Sequence, residues 1–553
     1  MAKSEANVGQ KNESGARIVL KCVKFTVFVL YLPPNSEQLT SKRVKKYRKM
    51  TFRLSIVLLL LTVVCYPALS AVPDSTDRDL LRQTEMTFEL SATASSGDFA
   101  PLWLTANRYG LGSVETQSIY ERARMERDIR HDEGRNWRLG YALDAAIAFG
   151  HTRHAVLQQA YVEGAWKRLR LTLGAKQQPL ETQNAELSTG ALTYGINARP
   201  IPQARLDVDW FPFPGTRRWW LWTLHCSYGM KTDGHWQQEW SLPGSRYTRH
   251  TLYHEKALHW QFGRTDLFPL TYEIGLNMAA EFGGTSYNIV SARYPASTVF
   301  EHTKGFQAFW NALVCRGSDA TDGTDPNVEG NHVGSWIMQL KYHGRRWQAR
   351  AYWERFFEDH SQLTVQYGIR DMLLGAEVTL PRNRFVSSVV AEYLGTKNQT
   401  GPVFHDPTPY FPERIAGQDN YYNNLNYAGW QNYGMALGNP LLTSPLYNAA
   451  LGNSHILHFF NNRLLAWHAA LAGDPSAEWH WRALVSFTRN WGSYEAPFTD
   501  VLHQTHVMAE ATYRPRWAPG WTGVAALALD HGTLLGNSVG GQITIRRTLN
   551  LKE

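Results

Sequence analysis

The stretch RRWQARAYWERFFED, residues 345–359, reads with a period of two. Trp347, Ala349, Ala351 and Trp353 fall on one side; Arg346, Gln348, Arg350, Tyr352 and Glu354 fall on the other. Successive side chains of a strand point to opposite faces, so this alternation predicts an extended strand with one greasy and one charged face. A soluble sandwich would bury the tryptophans in a core. A membrane barrel would turn them to lipid and the arginines into its lumen.

The pattern recurs along the chain. Leu139, Tyr141, Leu143, Ala145, Ile147 and Phe149 share a face opposite Asp144, and Leu169, Leu171 and Leu173 alternate with Arg168, Arg170 and Thr172. Trp220, Trp222, Leu224, Cys226 and Tyr228 form another row, as do Trp479, Trp481, Ala483, Val485 and Phe487. Ile543 and Ile545 alternate with Gln542, Thr544 and Arg546 near the end. Several rows end in an aromatic ring, as an interfacial girdle does. The 553 residues include 21 Trp, yet mean hydropathy is −0.37, and no run beyond the N-terminal region is long and apolar enough for a membrane helix.

From residue 335 onward the connections alternate tight and long: His343-Gly344-Arg345, then 357–370; Pro381-Arg382-Asn383, then 396–461; Gly473–Ser476, then 490–503. This rhythm is expected of an outer-membrane barrel with short periplasmic turns and long outside loops. Strands starting near 85, 118, 137, 155, 169, 203, 219, 253, 271, 335, 346, 371, 385, 462, 479, 504, 521 and 539 give about eighteen, an even number that sets both ends on the short-turn side. The fold class is all-β: a closed antiparallel transmembrane β-barrel. Its lumen should hold mixed-sign charge from Arg346, Arg350 and Glu354 and from the shared face of Tyr120, Arg122, Arg124, Glu126, Asp128 and Arg130.

The net charge of +8 is local. Residues 1–70 hold 12 Lys/Arg against 3 Asp/Glu, which leaves the rest of the chain near −1 and argues against nucleic acid as a partner. Within that segment, MTFRLSIVLLLLTVVCYPALSAVPD from Met50 has a basic start, an apolar core and a small-residue cleavage site, the order of a secretory signal peptide. The expected organisation is an upstream overrun over 1–49, a signal peptide over 50–71, a short periplasmic segment over 72–84 and the barrel over 85–553. Beyond the signal only Cys226 and Cys315 occur, enough for one disulfide but not for a disulfide framework.

Signals for catalysis are weak. His250, His254 and His259 lie close in sequence, but no Cys or carboxylate cluster completes a metal site. Glu354, Glu358 and Asp359 could serve as paired acids for glycoside hydrolysis, or as a lumen pair and a solvated loop mouth, the reading favoured here. No nucleophile-elbow, Walker or dinucleotide motif is placed for use. The stretch with most character is DNYYNNLNYAGWQNYG, 419–434. Tyr421, Tyr422, Tyr427, Trp430 and Tyr433 offer flat apolar faces, and Asn420, Asn423, Asn424, Asn426 and Gln431 offer amides. Sugars are held by that combination, and a long loop is also stitched into a barrel by it; both readings stand.

The chain resembles the capsule assembly Wzi family in its Bacteroidetes form. The resemblance rests on SSGDFAPLWLTANRYGL (95–111), QAYVEGAWKRLRLTLGAKQQP (159–179), ELSTGALTYGINARPIPQARL (186–206), LYHEKALHWQFG (252–263), YWERFFEDHS (352–361), AEYLGTKNQTGP (391–402) and YYNNLNYAGWQNYGMALGNPL (421–441). It implies a lectin-like outer-membrane barrel of eighteen strands that holds capsular polysaccharide at the cell surface, without enzymatic activity or cofactor. It also implies a small periplasmic helical element, for which 98–112 and 179–200 are candidates. The partners expected are capsular polysaccharide, outer-membrane lipid and the barrel-insertion machinery. The glycan would be gripped by Asn420, Tyr421, Tyr422, Asn423, Asn424, Tyr427, Trp430 and Tyr433, above a lumen network of Arg122, Arg124, Glu126, Arg350 and Glu354. A diffusion channel for oligosaccharides and a hydrolase using Glu354 and Glu358 are the alternatives.

Overall fold

The computed structural model describes residues 83–550 apart from 291–297, 317–329, 359–369, 382, 384, 404, 406–407 and 414–416. The expected overrun (1–49), the signal peptide (50–71), all but the last two residues of the periplasmic segment (72–84), and Asp359 lie outside the described residues.

Eighteen antiparallel strands form one sheet that closes on itself. Each pairs with its sequence neighbours, and the first, Glu85–Ser96, pairs with the last, Ser538–Asn550, in a register running from Glu85↔Asn550 to Ser96↔Val539. Closure removes the sheet edges that would leave backbone groups without partners in hydrocarbon. Both strands of this seam have their outer ends, Glu85 and Asn550, on the side of the tight turns, as the parity of the strand count requires.

The rows read from the alternation are the outward ones. Leu143 is 53% exposed and Leu173 52%, while Asp144, between rows, is 0% exposed and points into the lumen. Trp353, Leu374, Tyr393, Trp467 and Phe487 lie side by side in register across five strands as a belt near the long-loop end. A second belt rims the short-turn end, with Trp137–Trp166 at 6.1 Å, Phe213 stacked on Trp220 at 4.1 Å and Trp479 stacked on Tyr513 at 4.6 Å. From Trp479 to Phe487 is about 26 Å of strand at 3.3 Å per residue, or about 20 Å in height at a tilt of about 40°, the scale of a barrel's hydrocarbon band.

Several expectations are corrected. Arg346 sits exposed in the turn between His343 and Gln348, so it does not reach the lumen. The strand expected to reach 130 ends at Arg127; Asp128 instead accepts the Arg130 N–H at 2.8 Å and caps a 3-10 turn, Ile129–Asp132. The loop expected over 490–503 shrinks to 493–496, because the strand Pro497–Tyr513 begins earlier than its Pro and Asp suggested. Segment 98–112 contains one helical turn, Leu102–Thr105, and 179–200 contains none; both leave from the long-loop ends of their strands. Cys226 and Cys315 are both free thiols.

One helix lies outside the wall. Phe306–Val314 buries Ala308 and Ala312 against Phe282, while the Tyr228 hydroxyl donates to the Phe309 carbonyl at 2.8 Å. The Lys256 ammonium donates to the Ala312 carbonyl at 2.9 Å, satisfying the helix C-terminus.

Candidate functional site

The lumen is filled. Three segments from the long-loop end, 98–112, 179–201 and 419–462, share one buried cluster with inward residues of the wall such as Tyr352, Leu373, Val390 and Ala470. Threaded chain brings backbone groups into a space without a ladder to bond them, and each must find a partner. Carboxylates on inward strand positions supply many of those partners.

Glu354, on strand Gln348–Phe357, accepts the Leu192 N–H at 2.9 Å and the Gln183 amide at 2.8 Å. Glu392 accepts the Thr189 N–H at 2.7 Å, the Ser188 hydroxyl at 2.6 Å and the Tyr352 hydroxyl at 2.5 Å. Asp530 accepts the Leu102 N–H at 2.9 Å, and Glu510 takes Arg108 at 3.1 Å. Sequence reasoning missed Glu392, Asp530 and Glu510; the available signal was a carboxylate at an inward position of an alternating strand. Wall charge also pairs with wall charge, and Glu377 does both, accepting the Asn184 amide at 2.9 Å as well as pairing with Arg350. Arg122 donates to Asp144 at 2.8 Å and faces Glu89 at 3.7 Å, while Arg124 pairs with Glu126 and Arg350 with Glu377.

The inserted segments also hold one another, largely through asparagine, whose amide gives a donor and an acceptor on one short stem. Asn423 bonds Phe459 in both directions, donating to its carbonyl at 3.0 Å and accepting its N–H at 2.8 Å. Asn439 donates to the Gly190 carbonyl at 2.7 Å, Asn197 to that of Ala436 at 2.9 Å, and Asn432 to that of Arg199 at 2.9 Å. Trp430 donates to the Thr193 carbonyl at 2.7 Å, and Tyr422 donates to that of Leu192.

Tyr421, Tyr422, Tyr427 and Trp430 are therefore buried to 2% exposure or less, and Asn423 and Asn426 are buried too. Asn420 and Asn424 are half-buried. The structure brings all eight expected glycan contacts into the plug, and Tyr433 keeps a partly exposed ring, over the Arg199 guanidinium at 4.0 Å. Beside it Trp236 stacks on half-buried Trp240 at 5.3 Å, and Trp240 meets His455 at 4.9 Å. Tyr247 and Tyr287, also half-buried, stack at 4.7 Å. These half-buried flat rings, Tyr433 among them above the buried Arg199, give the long-loop end a surface that suits ring-shaped polar ligands.

The other candidates disperse. His254 and His259 point to opposite faces of one strand: His259 takes Glu273 at 2.8 Å and Asn277 at 2.7 Å in the lumen, while His254 lies outside, stacked on Tyr228 at 4.4 Å. His250 is exposed in the preceding loop. Glu358 accepts the Tyr422 N–H, and Glu354 holds Leu192 and Gln183, so both acids serve the plug backbone. Burial pushes the Asp371 carboxyl up, against hydrogen bonds from the Asn398 and Gln399 amides. His151, in the tight turn after Phe149, is pushed down to about 4 by burial, with Arg199 adding to the shift.

An eighteen-strand closed barrel with an apolar outer face, an ion-paired inner face and a filled lumen is the architecture of an outer-membrane barrel. No protein-family model matches the chain, and no curated protein matches it in sequence. Among solved structures, the chain is similar in fold to Wzi of Escherichia coli, an outer membrane protein involved in group 1 capsule assembly and a carbohydrate binding β-barrel. That match has 13% identity over 87% of this chain and 91% of the other, with a TM-score of 0.50. OpdO of Pseudomonas aeruginosa matches at 12% identity over 85% and 97% of the two chains, with a TM-score of 0.42. OprD of the same organism matches at 8% identity over 84% and 94%, with a TM-score of 0.41.

Proposed function

We propose that this protein is a non-enzymatic, lectin-like barrel of the bacterial outer membrane that attaches a surface polysaccharide, of capsular type, through its long-loop end. Export by the N-terminal leader and placement by the barrel-insertion machinery belong to the same reading, and no cofactor is needed. The observation that carries it is the filled lumen. Segments 98–112, 179–201 and 419–462 pack into one apolar cluster with the wall, and buried carboxylates bond their backbone. A through-channel needs a continuous water-filled path along the axis, whereas a binder needs only a rigid end face. The similarity in fold to a carbohydrate-binding barrel agrees with this choice.

In this reading the division of labour within 419–434 follows depth. Tyr421, Tyr422, Asn423, Tyr427 and Trp430 set the shape of the loop from below, while Tyr433, with Trp240, Tyr247 and Tyr287, offers the ring faces on which sugar C–H surfaces stack. Asn420, half-buried at the same end, supplies its amide NH2 for hydroxyls, while Asn424 is tied to Asn331, Asn426 and Tyr427.

The test is retention of the producing organism's capsular polysaccharide by purified protein in detergent, for wild type and for Trp240→Ala/Tyr433→Ala. Retention by wild type that falls at least tenfold in the double variant supports the reading. Equal retention by both overturns the site, and no retention by wild type overturns the function. Planar-bilayer recording separates the diffusion-channel reading: steady current through wild-type protein would decide for the channel.

A further inference from the structure

In the lumen, cations are matched to carboxylates, as Arg122 is to Asp144, Arg205 to Glu255 and Arg482 to Glu510. Lys397, Arg463 and Arg489 are not: among the described residues none has a carboxylate oxygen within 4.0 Å. They are carried on rings instead. The Lys397 ammonium lies 4.2 Å from the Trp491 ring centre, the Arg489 guanidinium 5.5 Å from the same ring on its own strand, and the Arg463 guanidinium 3.7 Å from that of Tyr494. Arg463 also donates from Nε to the Lys397 carbonyl at 3.1 Å, which ties two of the three together. Of the nearby carboxylates, Asp371 is buried and accepts the Asn398 N–H at 3.0 Å, and Glu495 faces His458 at 3.7 Å.

Height and direction set the partner. Tyr393, Trp467 and Phe487 are consecutive members of the outer aromatic belt, joined in register. Arg489 lies two residues beyond Phe487 on the same outward face and is exposed, opposite His503 on the next strand. Arg463 and Lys397 lie just beyond the ends of their strands, Leu464–Gly473 and Ser388–Gly395, but Arg463 still exchanges backbone hydrogen bonds with Trp491 and Gly492, and the Lys397 ammonium reaches the Trp491 ring. The cations therefore stand about 7–14 Å of strand past the belt. Belt aromatics settle at headgroup level, so these cations face sideways into the headgroup layer rather than up into the medium. At the short-turn rim each cation lies on a ring of its own, Arg547 on Trp521 at 5.2 Å, Lys167 on Trp166 at 4.8 Å and Arg168 on Phe211 at 5.6 Å; here three cations share two rings.

We propose that Lys397, Arg463 and Arg489, held on Trp491 and Tyr494, bind the phosphate groups of a phosphorylated glycolipid headgroup in the surrounding outer leaflet. Guanidinium and ammonium groups without a protein counter-ion form charge-assisted hydrogen bonds to phosphate, and a ring beneath each holds it in place at low entropic cost. The proposal rests on the barrel crossing a membrane and is independent of the polysaccharide face.

The experiment compares binding of bisphosphorylated lipid A and of chemically dephosphorylated lipid A to the full barrel in neutral detergent, for wild type, R489Q and K397Q/R463Q/R489Q. Unheated migration on SDS gels checks that each barrel is folded. A wild-type preference of about tenfold for the phosphorylated lipid, reduced about threefold in R489Q and abolished in the triple variant, supports the site. No preference in wild type, or an undiminished one in folded R489Q, overturns it. Displacement of bound lipid A by polygalacturonate at equal charge concentration overturns it in favour of an acidic glycan. Wild type that stays monodisperse without detergent fails the membrane reading itself, a result separate from any loss of phosphate preference.

Discussion

The indole N–H of Trp430 donates to the carbonyl oxygen of Thr193 at 2.7 Å, joining residues 237 positions apart in the middle of the barrel. The ring is fully buried and packs against Tyr253 of the wall at 5.8 Å. It thus binds two inserted segments to each other and to a strand. Trp430→Phe keeps most of the apolar volume but orphans a buried carbonyl, a cost of about 1–2 kcal/mol. Trp430→Ala adds a cavity and costs about 3–5 kcal/mol. Denaturant titration in detergent followed by near-UV circular dichroism checks both; an unchanged midpoint for Trp430→Ala would mean the plug is not a packed core.

Glu392 anchors segment 179–201 through two hydrogen bonds, from Ser188 and Thr189, and accepts a third from Tyr352 of the wall. Glu392→Ala leaves a buried backbone N–H and two hydroxyls without their acceptor and weakens the anchoring by about 3 kcal/mol. Wild type is expected to be electrically silent in a planar bilayer and Glu392→Ala to show brief openings. Equal silence would place the hold on the plug elsewhere.

Gly375 lies directly across the strand pair from Tyr352, and a Cβ added there would stand 2.2 Å from the Tyr352 ring. Gly375→Ala must push that ring aside and with it the hydroxyl that reaches Glu392, for a loss of about 2–3 kcal/mol. Tyr352→Leu removes the obstacle. The double variant is expected to fall short of the sum of the two single losses, and additive losses would contradict the proposed clash.

His151 contributes a pH dependence to the long-loop end, as does His458, which burial likewise holds down at about 4. Neither ring nitrogen of His151 has a hydrogen-bond partner among the described residues, and burial beside Arg199 and His154 holds the imidazole near 4. An unfolded histidine titrates near 6.5, so between about 6.5 and 4 the unfolded chain binds the extra proton and stability falls as the medium is acidified. The contribution is whole above 6.5 and gone below 4. His151→Gln is expected to flatten this part of a stability-against-pH curve, measured by the same titration at steps from pH 7.5 to 4; an unaltered slope would assign the dependence to another group.

The wall was readable because its code has a period of two. Rows such as Leu169, Leu171 and Leu173 face out in the structure as the alternation required, and most strand starts fall within a few residues of those read from the sequence. Ends were harder: Arg346 and Asp128 continue the alternation of their strands, yet turns take them, because parity does not stop where pairing does. The plug was not readable. Inserted chain has no repeat, and its aromatic and amide residues satisfy a buried backbone with the same groups that would grip a sugar. Asn423, bonded at both ends to Phe459, and Asn462, donating to the Tyr421 carbonyl at 2.8 Å, mark the difference only once their partners are known. The density of asparagine across 420–462 was itself a hint of irregular chain that had to be satisfied locally.

The seam between Glu85–Ser96 and Ser538–Asn550 has a temporal consequence. Its two halves are nearly the whole described chain apart, so the loop they close is the costliest in entropy and zips last. Residues 98–112, 179–201 and 419–462 all precede the final strand in the chain, so the expected order is that the contents are gathered first and the cylinder locks around them.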